Sequence, residues 1–79
     1  MPAAFACLRF KGVADWIIEG ARAIALKCAA VTMDVGYIDQ DTGVITLRAS
    51  GEDPIERAIR RLLADPICSK HFRITREYG

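Results

Sequence analysis

The chain has 79 residues, 52% of them hydrophobic and 27% charged, with a formal net charge of +1. That length makes residues 1–79 one domain, and so apolar a chain is not disordered. No run of about 18 apolar residues lacks a charge, so a membrane-spanning helix is excluded. The near-neutral balance also excludes a strongly basic nucleic-acid arm.

The first segment, Met1 to Ala6, has no basic region ahead of its apolar residues and does not read as a signal peptide. Cys7, Cys28 and Cys68 are three widely spaced cysteines flanked by small or apolar residues. That is the usage of buried thiols in a reducing compartment rather than of a disulfide framework, and the expected location is cytoplasmic.

Phe5 to Phe10 alternates, with Ala6, Leu8 and Phe10 on one side and Cys7 and Arg9 on the other, which predicts a strand ended by Lys11-Gly12. From about Val13 to Ala30, a stripe of Ile17, Ala21, Ile24 and Cys28 predicts a helix with Glu19 and Arg22 on its wet side. Trp16 lies off that stripe. Val31 to Ile38 and Val44 to Ala49 each alternate, and the turn residues Asp39 to Gly43 between them predict a hairpin. The next helix is expected to start at Asp53 as N-cap, with Pro54 at N1 and Glu56 completing a capping box, and to stop at Asp65 before Pro66. Its apolar stripe is Ile55, Ala58, Ile59, Leu62 and Leu63; Arg57, Arg60 and Arg61 occupy the opposite face. The last strand is expected over about Lys70 to Tyr78, with Phe72 and Ile74 inward.

The order strand, helix, strand, strand, helix, strand gives an α+β fold. Two singly striped helices cover one face of a four-stranded antiparallel sheet. As a pattern of elements this resembles the ferredoxin-like βαββαβ plait, whose sheet order is 4-1-3-2. The expected core is Leu8, Phe10, Ile17, Ile24, Val35, Ile45, Leu47, Ile59, Leu62, Phe72 and Ile74.

The plait hosts many functions, so activity has to be argued from residues. His71 is the only histidine, and no Ser or Cys neighbours a base in sequence. Acylphosphatases share the plait, but Arg9 to Val13 lacks their longer phosphate-cradling loop. Cys68 and His71 have a ligand-like spacing without further ligands nearby, so neither a metal nor any other cofactor is expected. RNA-binding plaits stack bases on aromatics of the two central strands. Here the outward residues are Cys7, Arg9, Thr46 and Arg48, none of them aromatic.

These readings describe a non-catalytic plait module that oligomerises, as a homodimer, and binds a protein partner or a small anionic ligand. An alternative is a small non-catalytic subunit of a larger enzyme complex. Arg61 to Ile67 resembles the end of the second helix in the small subunit of formylglycinamidine ribonucleotide synthetase, itself a small oligomeric plait. A weaker alternative is nucleic-acid binding through the basic helix face. Arg9, Arg48 and Arg73, on the outward sides of three adjacent strands, are the expected ligand or partner site, because clustered guanidiniums need an anion among them. Asp34 and Glu77 are possible counter-charges from the same face, and Trp16 is the expected interface residue.

Overall fold

The structure, a computed structural model, describes residues 4–28 and 30–78. The leader reading of residues 1–3 and the place of Ala29 in the first helix lie outside them. The elements are β1 (Ala4–Lys11), α1 (Asp15–Leu26), β2 (Thr32–Tyr37), β3 (Thr42–Ala49), α2 (Glu52–Ala64), α3 (Pro66–His71) and β4 (Arg73–Tyr78). All strand pairs are antiparallel, in the order β2-β3-β1-β4. Counted from the β4 edge, the same succession runs 4-1-3-2.

Strand parity sets the layers. Ala4, Ala6, Leu8 and Phe10 of β1 and Ile45, Leu47 and Ala49 of β3 are buried under the helices. They meet Ile17, Ile18, Ala21 and Ala25 of α1 and Ile55, Ala58, Ile59 and Leu62 of α2. Ile24, Val35 and Ile74, expected in the core, are only partly buried against it. Among the described residues no helix lies on the other face of the sheet. No helix among the described residues is long and apolar enough to cross a membrane.

Three corrections to the sequence reading matter. The described residues form three helices, not two. Asp65-Pro66 ends α2 and also starts α3, because the Asp65 carboxylate accepts from the Cys68 backbone N–H at 2.9 Å while Pro66 occupies the first helical turn. Lys70 and His71 therefore close a helix, and β4 begins only at Arg73. Second, α2 starts at Glu52 with Gly51 as its N-cap and no side-chain cap. Asp53 and Pro54 fall inside its first turn, where an imino nitrogen costs nothing because those N–H groups lack helical partners anyway. Glu56 does not close a capping box; it accepts from Arg76 Nε at 2.6 Å and ties α2 to β4. Third, α1 ends at Leu26, short of Ala30, which adopts a left-handed φ of 67°.

The β2–β3 turn is fastened by Asp39, whose carboxylate accepts from the N–H groups of Asp41 at 2.9 Å and Thr42 at 2.8 Å. Gly43 is not the positive-φ turn residue but a paired residue of β3, opposite Phe10 on one side and Tyr37 on the other. A Cβ there would collide with the Phe10 ring and come within 2.9 Å of the Gly36 carbonyl oxygen. The missing side chain lets Phe10 stack edge-on to both Tyr37 and Phe72, with ring centres 5.8 and 5.7 Å away.

Candidate functional site

Register decides which outward residues of the uncovered face meet. Moving across the sheet from β2 to β4, one row is Gly36, Val44, Arg9 and Arg73. The next is Asp34, Thr46, Cys7 and Thr75, and the third is Thr32, Arg48, Phe5 and Glu77. The three expected arginines thus divide. Arg9 and Arg73 are direct cross-strand partners, while Arg48 stands two rows away and pairs with Asp34 at 2.8 Å. Glu77 shares the row of Arg48 with Phe5 between them, so this face of the central strands does carry an aromatic, contrary to the sequence reading, because β1 begins at Ala4 and puts Phe5 on the parity of Cys7 and Arg9. Trp16, on the outer side of α1, is 65% exposed.

Arg9 and Arg73 belong to a different group. β4 pairs with β1 only as far as Arg9, so Phe10 and Lys11 run past its start. The end of α3 turns in beside them. The result is a recess of about 600 Å³ into which Arg9, Lys11, Lys70, His71 and Arg73 project, with Thr42 on its rim and the rings of Phe10 and Phe72 beneath. Among the described residues no acidic side chain lines it. The ion pairs of the described residues are Glu19–Arg22, Asp34–Arg48 and Glu56–Arg76, so none involves a cation of the recess. Reading Lys70 and His71 as strand residues hid this grouping. The signal that reveals it is Asp65-Pro66 as a helix start, which turns the basic Lys70-His71 pair toward the end of β1.

The displaced titrations have local causes. Asp39 is held below the usual carboxylate range by the N–H groups of Asp41 and Thr42, and Asp65 by that of Cys68. Burial, helped by the Asp65 carboxylate, pushes the Cys68 thiol up to about 11. These are turn and cap devices, away from the recess. Among the described residues no three His, Cys, Asp or Glu side chains gather as a metal group.

No family profile and no curated protein matches the chain. Among solved structures it is similar to the de novo designed protein Foldit4, with a TM-score of 0.68 and 13% identity over 99% of this chain and 94% of that one. At that identity the likeness speaks for the α+β fold alone.

Proposed function

We propose that the chain is a ferredoxin-like, non-catalytic binding module that assembles with a second copy of itself across the β2 edge. The supporting observation is the contrast between the two edges of the sheet. β4 carries Arg73, Arg76 and Glu77, the kind of charges that discourage strand addition. β2 carries one charge, Asp34, and is followed by apolar side chains left in water: Tyr37 is 57% exposed and Ile38 74%.

Antiparallel pairing of two β2 strands about Val35 keeps inward residues beside inward ones. It sets Met33 beside Tyr37 of the second copy and Thr32 beside Ile38. Asp34 then faces Gly36, which has open space around it, so each Asp34 keeps its Arg48 and no like charges meet. The pairing satisfies the free backbone groups of both edges and joins two four-stranded sheets into one. α1 packs on β2, and its exposed Trp16 is the proposed reporter of the seam.

The test is solution mass by light scattering. The full chain is expected at twice its 8.7 kDa mass at high micromolar concentration. Val35→Lys, which sets two ammoniums opposite each other at the symmetry axis, is expected as a folded monomer by circular dichroism. A wild-type monomer, or a Val35→Lys dimer, overturns the assignment.

A further inference from the structure

The cationic recess lies at the opposite edge from β2, and its chemistry stands independently of self-association. We propose that it is a binding site for a small molecule bearing a diphosphate group. Four basic side chains reach it from three separate segments: Arg9 and Lys11 from β1, Lys70 from α3 and Arg73 from β4. Directly opposed residues of an antiparallel pair have Cα atoms about 4.5–5.5 Å apart, so the Arg9 and Arg73 guanidiniums start side by side. Two planar forks at that spacing suit oxygens that accept in pairs. Lys11 lies two residues further along β1 on the same side, about 7 Å away, and Lys70 closes the group from the helix end.

The count of charges selects the ligand. A single phosphate ester carries about two negative charges and leaves half of this set unanswered. Two linked phosphates carry about three and span the distance from the arginine pair to the lysines. The hydroxyl of Thr42 adds a neutral donor at the rim. A recess of about 600 Å³ is of small-ligand size.

A nucleic-acid strand is a poorer fit. Beyond the recess the uncovered face turns neutral at Thr46, Cys7 and Thr75, and the row after that sets Arg48, already paired with Asp34, against Glu77. A polymer following the sheet would pass a cation that is already paired and run its phosphates toward the Glu77 carboxylate. The aromatic rings at the recess, Phe10 and Phe72, are both buried and offer no face for stacking bases, and Phe5, the aromatic of the uncovered face, stands two rows away from the cations and is half-buried.

The experiment is calorimetric titration of the full chain with inorganic pyrophosphate at near-physiological salt. Saturable binding at one site per chain is expected. Arg9→Gln, Arg73→Gln and Lys70→Gln should each weaken it about tenfold, the loss of one charge-assisted contact. Arg57→Gln, on the basic face of α2, should leave it unchanged. Thermal melts run beside each variant separate lost binding from lost folding. Among the described residues Arg9 and Arg73 have no ion-pair partner to lose, so these variants should melt at or above the wild-type temperature. Three results overturn the proposal: no saturable pyrophosphate binding, equal weakening by Arg57→Gln, or a single-stranded oligonucleotide that binds more tightly than pyrophosphate with a steep salt dependence. The Val35→Lys monomer should still bind pyrophosphate, because its substitution lies across the sheet. The two assignments can therefore fail separately.

Discussion

β1 is one strand with two environments. Ala4, Ala6, Leu8 and Phe10 are buried on the helix side, while Phe5 and Cys7 are only half-buried and Arg9 and Lys11 are exposed on the other. On the covered side the buried neighbours are apolar, with the Glu56–Arg76 pair at the margin, so a residue of the right size and parity satisfies the fold. On the uncovered side a residue's surroundings depend on which cross-strand partner register brings. Arg48 acquires Asp34, and Arg9 acquires another arginine. Parity fixes the first side, and only pairing fixes the second.

The largest break in that comparison should come from Leu62, which is fully buried where α2 meets the sheet. Leu62→Ala is expected to cost about 2–5 kcal/mol in denaturant unfolding, by lost burial and the cavity left behind. Thr46→Ala, on the uncovered face, should stay within about 0.5 kcal/mol of wild type. Similar losses at the two positions would remove the distinction between the faces.

A smaller and more local break lies in two glycines of one hairpin. Gly43→Ala drives a methyl into the Phe10 ring and toward the Gly36 carbonyl, and is expected to destabilise by about 1–3 kcal/mol. Gly36→Ala meets nothing and should be neutral or slightly stabilising. Trimming the ring with Phe10→Leu should recover part of the Gly43→Ala loss in a double-mutant cycle. Additive effects would show that the ring is not what Gly43 accommodates.

The two thiols Cys7 and Cys68 sharpen the comparison further. Cys7 is half-buried on the uncovered face, and Cys68 is the buried residue of α3. Alkylation of the native chain is expected first at Cys7 and last at Cys68, read by mass spectrometry of the digested protein. The Cys68 thiol is raised to about 11 from an ordinary 9.0. The folded chain therefore holds this proton over a range in which the unfolded chain has released it. Its contribution to stability is complete below pH 9 and is lost as pH rises through about 11. Cys68→Ser should flatten that alkaline decline. Asp65 runs the other way: its carboxyl is lowered by the Cys68 N–H, so its contribution fades as pH falls through the carboxylate range. Asp65→Ala should remove that acid dependence.

What was legible in the sequence follows the same division. The alternation of β1 and β3 and the stripe of α2 place the covered core directly, since burial repeats at the period of each element, although Leu63 at the edge of that stripe is left exposed. α3 was not legible because its six residues are too short for a helical period to declare itself, and Pro66 reads as a stop before it reads as a start. The start of α2 shifted because Asp53-Pro54 is compatible with two positions of the first turn. The grouping of Lys11, Lys70 and His71 with Arg9 and Arg73 needed both α3 and the β1–β4 register, and neither is written in parity.

The smallest expected effects concern the arginines themselves, and here the sign matters more than the size. Arg48 pairs with Asp34 at 2.8 Å, but both side chains are more than half exposed, so the pair is worth about 0–1 kcal/mol after screening. Arg48→Ala should therefore lower stability slightly, and the loss should shrink as salt is added. Arg73 faces Arg9 across β1 and β4 with no carboxylate in the recess. Removing it relieves a like-charge contact, so Arg73→Ala should leave stability equal or raise it, again less so in high salt. Paired melts at low and high ionic strength measure both. Opposite signs that converge with salt would establish that Arg48 serves the sheet and Arg73 works against it. A residue that opposes the fold it sits in calls for an occupant of opposite charge, and pyrophosphate should then stabilise wild type more than Arg73→Ala. If Arg73→Ala is instead the more destabilising of the two, the recess is holding the end of β4 in place, and its cations are part of the fold rather than a site.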